Sequence, residues 1–256
     1  MSEPDQTQLM LLGSTREISA DELAQLYAYP ERQSWVRANF IASVDGGATV
    51  AGRSGGLAGP GDRTLFTLLR VLADIIVVGA GTVRAENYGG ARLTAAQRQR
   101  RQDRGQSEVP RLAIVTKSGN LSPDLPIFTQ TEVTPLVLTA AAAAGAARRQ
   151  LGGVAEVVDC SGAAPDRIDE AAVLAALSAG GHHRVLTEGG PTLLGSFIEH
   201  DLLDELCLTV APYLVGGQAG RIATGPGQVR TSMRRAHLLA DDAGYLYARY
   251  VRDGRL

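Results

Sequence analysis

The segment Leu186-Thr187-Glu188-Gly189-Gly190-Pro191-Thr192-Leu193-Leu194-Gly195-Ser196 constrains the fold more than any other. A β-rich run from His183 to Thr187 ends in a carboxylate. Two glycines follow, and then a proline at the first turn of a helix. A strand, a bend and an exposed helix N-terminus is the entry corner of an α/β fold, and its bare N–H groups attract anions. Gly189 and Gly190 let a phosphate approach the backbone without meeting a Cβ. Pro191 loses nothing at a position whose N–H has no partner inside the helix. Taken alone, the segment fits either a nucleotide pyrophosphate or a tight turn with no ligand.

Length and composition narrow the class. At 256 residues, 45% hydrophobic and 20% charged, the chain is long enough for one α/β domain with a sizeable core. A formal charge of −2 gives no drive toward nucleic acid or a membrane surface. Among the 25 basic residues Lys117 is the one lysine. Cys160 and Cys207 lie far apart, and His182, His183, His200 and His237 form no HExxH pattern. No metal site is therefore expected, and the cysteines read as buried apolar fillers in a reducing cytoplasm. The apolar run Leu9 to Leu12 is too short for a signal peptide, and no stretch nears the roughly 20 apolar residues of a membrane span.

Along the chain, residues 1–34 read as an appendage with a short helix, Ala20 to Tyr27, capped by Ser19. Residues 35–256 read as a single domain. Strands are expected over Trp35 to Val44, Ile75 to Val78, Leu112 to Thr116, Leu136 to Leu138 and Ala155 to Val158. Helices are expected from Asp62, over Ala140 to Gln150 and over Asp169 to Ser178; Thr94 to Arg104 is a charged helix or a loop. Asp204 to Val215 alternates and then turns at Gly216-Gly217, and Arg235 to Tyr250 forms a hairpin about Asp241–Gly244. The glycine-rich stretch Gly46 to Gly61 is a long loop, a length that usually carries function. The pattern predicts an α/β fold: a mostly parallel sheet flanked by helices, with a C-terminal antiparallel hairpin.

Three corners follow strands, at the carboxyl edge where open α/β sheets bind ligands. They are Glu188-Gly189-Gly190-Pro191, then Gly79-Ala80-Gly81-Thr82, then Thr116-Lys117-Ser118. The second lacks a GxGxxG fingerprint. In the third, a cation flanked by hydroxyls suits the 2′-phosphate of NADP, although an ordinary polar strand end looks the same. Asn39, Ser43, Asp45, Ser54, Arg63, Arg70, Glu86, Arg92 and Glu188 then face the rest of the cleft. Arg63 and Arg70 stand seven residues apart on one helix face, where they either clamp a substrate phosphate or pair with Asp62, Asp74 or Glu86. Asp45 reads mainly as a turn former with Gly46.

Four ordered blocks then resemble the RibD C-terminal domain family, the pyrimidine reductases of riboflavin biosynthesis. They are Asn39-Phe40-Ile41-Ala42-Ser43-Val44-Asp45-Gly46; Arg70 with Ala73 to Val83; Leu186 to Gly190; and Leu203-Asp204-Glu205-Leu206 with Ala211-Pro212 and Gly216-Gly217. The look is nearest to free-standing actinobacterial members and spans about residues 35 to 252. The resemblance implies a dihydrofolate-reductase-like fold, NADPH as cofactor and a homodimer. It implies reduction of 5-amino-6-(5-phosphoribosylamino)uracil by hydride transfer to ribose C1′. Ala42, Gly79, Gly81, Thr82, Thr116, Lys117, Ser118, Gly189, Gly190, Pro191, Thr192, Leu193 and Leu194 would hold the cofactor. Asn39, Ser54, Arg63, Arg70 and Arg92 would bind substrate, Arg70 and Arg92 at its 5′-phosphate. Glu188 and Glu86 would be catalytic, orienting ribose hydroxyls or moving the proton that opens the ring.

The chain departs from the family pattern at Gly47, Gly56-Leu57, Glu86 and Tyr88, all in the substrate half. It lacks the H-x-E…P-C-x-x-C zinc-deaminase signature. Two other readings stay open: a dihydrofolate or pterin-type reductase on the same fold, and a non-catalytic NADP-binding sensor or scaffold.

Overall fold

The computed structural model describes residues 16–31 and 34–254. The Leu9 to Leu12 run and half of the expected N-terminal appendage lie outside the described residues. The elements, in order, are α1 (Ala20–Leu26), β1 (Trp35–Ser43), α2 (Pro60–Leu72), β2 (Ile75–Gly79), α3 (Ala80–Ala85), α4 (Ala95–Gln102) and β3 (Arg111–Thr116). Next come α5 (Pro126–Thr129), β4 (Leu136–Thr139), α6 (Ala141–Leu151), β5 (Glu156–Asp159), α7 (Glu170–Ala179) and β6 (Arg184–Thr187). The chain continues through α8 (Pro191–Glu199), β7 (Glu205–Ala211), β8 (Met233–Ala240) and β9 (Leu246–Arg252).

Among the described residues nine strands join one sheet, in the order β5-β4-β3-β2-β6-β1-β7-β9-β8. Pairings from β5 through β7 are parallel; β9 runs antiparallel to β7 and to β8. The parallel strands consequently end along one edge, and the loops after them are gathered there. Alternation along the strands builds two cores. Ile76, Val78, Leu112 and Ile114 pack with Leu65, Leu69 and Leu72 of α2. Ile75, Val77, Ala113 and Val115 pack on the other face with Val173, Leu177, Leu194 and Phe197 of α7 and α8. Each fully buried aliphatic side chain contributes roughly 1.5–3 kcal/mol, which is why the central strands read as unbroken apolar runs.

Boundaries moved where local chemistry intervened. Helix α2 begins at Pro60 rather than Asp62, because proline is accommodated in the first turn. Strand β7 stops at Ala211 rather than Val215: Pro212 has no N–H for a ladder, and the Asp45 carboxylate takes the N–H groups of Val215 and Gly216. The short helices α3 and α5 were not anticipated, since six and four residues show no apolar period. The charged segment at Thr94 is a helix with a full capping box, Thr94 with Gln97.

Two buried polar clusters tie the frame together. The Glu205 carboxylate accepts from Arg37 (2.6 Å), Arg249 (2.8 and 2.9 Å) and the Trp35 indole (2.8 Å). Arg249 also donates to the Leu26 carbonyl, which fastens α1 to the sheet, and Tyr27 just beyond α1 is buried. Arg101 of α4 is fully buried and donates to the carbonyls of Arg70, Val71 and Ala73 at 3.2, 3.0 and 2.5 Å. It thereby satisfies carbonyls at the C-terminal end of α2 that have no partner within the helix.

Candidate active site

A cavity of about 2110 Å³ runs along the carboxyl edge of the sheet. All three corners read from the sequence open into it. Gly190 is the N-cap of α8 and contributes no side-chain cap, so the helix end presents backbone N–H groups to the cavity. The Gly189–Gly190 peptide is cis, and Gly189 has φ +126°. The Gly79 N–H donates to the Gly189 carbonyl at 2.7 Å, which locks the second corner against the first. A Cβ on Gly190 would stand 2.6 Å from Thr82 Oγ1, and one on Gly79 would stand 3.2 Å from the Gly190 nitrogen. Glycine is therefore required here by close approach. Lys117 and Ser118 are exposed at the end of β3 and line the same cavity, as does the loop Gly162 to Arg167 after β5.

Beside the first corner a carboxylate is gripped by an arginine. Arg70 Nε and Nη2 donate to Glu188 Oε1 and Oε2 at 2.8 and 2.7 Å, a bidentate pair. Arg70 Nη2 also donates to the Tyr88 hydroxyl at 2.8 Å, and the guanidinium lies 4.1 Å from the centre of the Phe66 ring. The Glu188 side chain is 2% exposed, and its backbone N–H donates to Val77. Glu86, at the C-cap of α3, accepts from the Ser54 N–H at 2.8 Å and the Ser54 hydroxyl at 2.9 Å. That pair ties the glycine-rich loop to the cavity wall. Asp45 accepts from Ser43 and from the N–H groups of Val215 and Gly216, which hold its pKa down at about 2. It is a turn-forming residue outside the cavity lining.

The structure brings most of the sequence-derived residues together. Asn39, Ser54, Arg63, Arg70, Glu86 and Glu188 line the cavity, as do Gly79, Gly81, Thr82, Thr116, Lys117, Ser118, Gly189, Gly190, Pro191, Thr192 and Leu193. Three do not. Ala42 and Leu194 are buried in the frame beneath it. Arg92 turns away into a separate shallow hollow and donates to Gln130 at 3.2 Å. Arg70 takes Glu188 as its partner, where the sequence reading gave it a phosphate, Asp62, Asp74 or Glu86. The Asp74 carboxylate is held by Arg184 and Gln106 instead.

Sequence reasoning gave Phe66 no role beyond the apolar side of the helix and treated Asp62 as the helix start and a possible ion-pair partner; both line the cavity. The signal was available: Asp62, Phe66 and Arg70 recur every fourth residue and share one face of α2.

The sequence and the fold are both similar to those of known proteins. The profile of the RibD C-terminal domain matches residues 34–247. A 2,5-diamino-6-ribosylamino-4(3H)-pyrimidinone 5′-phosphate reductase of Archaeoglobus fulgidus is 30% identical over 185 residues, covering 72% of this chain and 83% of that protein. The same-named reductase of Methanothermobacter thermautotrophicus is 29% identical over 216 residues, covering 81% and 94%. The crystal structure of a pyrimidine reductase-like protein from Corynebacterium diphtheriae superposes with a TM-score of 0.76 at 29% identity, covering 89% of this chain and 97% of that one. With the profile spanning nearly all of the sheet and every corner of the cavity, the chain belongs to the RibD C-terminal domain family.

Proposed function

We propose that this chain is an NADPH-dependent oxidoreductase of riboflavin biosynthesis that reduces a ribosylaminopyrimidine 5′-phosphate to its ribitylamino counterpart. Residues 35–256 form the reductase domain, and residues 1–34 an appendage to it. The observation that carries this reading is the Arg70–Glu188 pair abutting the Gly189-Gly190-Pro191 helix entry within a single cavity. An anion-seeking helix end and an oriented carboxylate are then neighbours in sequence and in space.

The residues present fit a dinucleotide. The glycine cradle admits a pyrophosphate without steric conflict, and the uncapped N-terminus of α8 faces it. Lys117 and Ser118 would meet the 2′-phosphate, which selects NADPH over NADH. Bound there, NADPH supplies the hydride that reduces C1′ of the opened ribose. The protein's own work is alignment, exclusion of water and proton movement. Glu188 would move the proton that opens the ring, with Arg70 fixing the orientation of its carboxylate. Glu86 keeps the glycine-rich loop seated through Ser54. Arg63, exposed on α2 with one long bond to the Ala58 carbonyl (3.4 Å), has donors left for the substrate 5′-phosphate.

The reductases of Archaeoglobus fulgidus and Methanothermobacter thermautotrophicus are named for a 2-amino-pyrimidinone ring, whereas the sequence resemblance alone suggested the uracil; both are ribosylamino 5′-phosphates. The protein is expected to act as a cytoplasmic homodimer; among the described residues no helix is long and apolar enough to cross a membrane.

The test is oxidation of NADPH by the purified protein with each pyrimidine and, separately, with dihydrofolate. Turnover of a ribosylaminopyrimidine phosphate supports the proposal. Turnover of dihydrofolate alone makes the chain a pterin reductase. NADPH binding without oxidation on any of the three makes it a sensor or scaffold.

A further inference from the structure

The substrate half of the cavity holds a carboxylate that the reaction above does not use. Asp62 lies in the first turn of α2 and lines the cavity together with Asn39 and Ile41 of β1. Its carboxyl group interacts with the hydroxyl of Thr209, a buried residue of β7 that is in register with Ile41. The other carboxylates on this side are engaged: Glu188 by Arg70 and Glu86 by Ser54. Asp62 forms no salt bridge among the described residues, so its acceptor capacity is largely unspent. Partial burial raises its pKa, against the opposing pull of Thr209 and Arg63, as expected for a carboxyl group short of partners.

Asp62, Phe66 and Arg70 form a stripe along α2 at four-residue intervals, and all three line the cavity. Eight residues of helix span roughly 12 Å, enough for a pyrimidine ring and the sugar carbon attached to it. The stripe offers a carboxylate at one end and an aromatic face in the middle. At the other end stands the Arg70–Glu188 pair.

We propose that Asp62 selects the pyrimidine ring by accepting the N3–H and the exocyclic 2-amino hydrogens of a 2-aminopyrimidin-4-one. Two adjacent donors match the two oxygens of one carboxylate. A uracil ring presents a carbonyl at C2, which removes one donor and sets an oxygen lone pair against the carboxylate. A buried polar group that loses its partner discriminates strongly between otherwise similar ligands. This assignment rests on the reductase reading above. The same edge occurs in a ribosylaminopyrimidinone and in a pterin, so the test separates those sources.

Wild type, Asp62→Asn and Asp62→Ala are to be compared with saturating NADPH on the diaminopyrimidinone phosphate, the uracil phosphate and dihydrofolate. Wild type should favour the 2-amino ring over uracil by about tenfold or more in kcat/KM. Asp62→Asn should lower kcat/KM for the 2-amino ring by roughly 100-fold, mostly through KM, and change the uracil value by less than about threefold. Loss confined to dihydrofolate would identify the pterin as the source of the edge. Alongside, 2,5,6-triaminopyrimidin-4-one is titrated calorimetrically into wild type and Asp62→Asn with NADP⁺ present. Weaker binding to the variant, with NADP⁺ affinity and Tm unchanged, supports the proposal. Equal binding overturns it, whatever the turnover. If no substrate is reduced by wild type but the calorimetric difference holds, the reductase reading fails and the ring-selecting role of Asp62 stands.

Discussion

Arg70 holds Glu188 through two parallel hydrogen bonds, although the residues are 118 positions apart in the chain. One comes from the last turn of α2 and the other from the end of β6, and they meet where the glycine cradle begins. The arginine thereby becomes a positioning residue for the carboxylate. Glu188→Gln keeps the shape of the side chain and removes its charge and basicity. NADPH affinity should stay within about threefold, while kcat falls by roughly 100-fold or more, in the range of lost acid–base catalysis. Stopped-flow single turnovers beside cofactor titration measure both; unchanged turnover would remove Glu188 from the mechanism.

Lys117 is exposed at the end of β3, on the wall of the cavity. Lys117→Ala should weaken NADPH by about tenfold, a typical loss for one charge-assisted phosphate contact, and leave NADH almost unchanged. Fluorescence titration with both nucleotides reads the difference. An equal loss for the two would retire the 2′-phosphate role.

Glu205 is buried between two arginines, so its removal strands positive charge. Glu205→Gln should cost about 3–5 kcal/mol, as expected on breaking a buried pair, seen as a large drop in the denaturant midpoint. The pH dependence carries a sign. Burial by itself would raise the carboxyl pKa, but Arg37 and Arg249 outweigh it and hold it at about 2, against an ordinary 4.5. A depressed native pKa means that the unfolded chain takes up the proton first. The stabilisation is complete above about pH 4.5 and is lost as pH falls toward 2. Acid titration of the unfolding midpoint should therefore be shallower in the variant.

Arg101 closes the end of α2 from a separate helix. Arg101→Met leaves the carbonyls of Arg70, Val71 and Ala73 without that donor, and should cost roughly 2–3 kcal/mol. Because one of those carbonyls belongs to Arg70, kcat should fall as well, while NADPH affinity holds. Thermal melts and steady-state kinetics on the same preparation check the two together; a Tm loss with normal kcat would confine Arg101 to stability.

Local residue pattern was enough for the strands, the longer helices and the three corners, but not for the short helices α3 and α5. Unbroken apolar runs such as Ile75–Val78 can satisfy a sheet covered on both faces. Gly189-Gly190-Pro191 leaves no alternative to a bend entering a helix. The glycine-lined corners of the cavity were legible for that reason, since backbone geometry dictates their residue types locally. The wall around Arg70 was not, because its side chains choose among partners that only folding brings near. Arg70 could have met Asp62, Asp74 or Glu86 on sequence spacing; the crossing of α2 over the end of β6 gave it Glu188. Arg92 carries the same charge, yet its loop turns it toward Gln130 and out of the cavity. Periodicity places a residue on a face of a helix. Which group lies opposite is decided by packing across the sheet, where a bidentate contact forms only if two backbones separated by more than a hundred residues are held at the right distance.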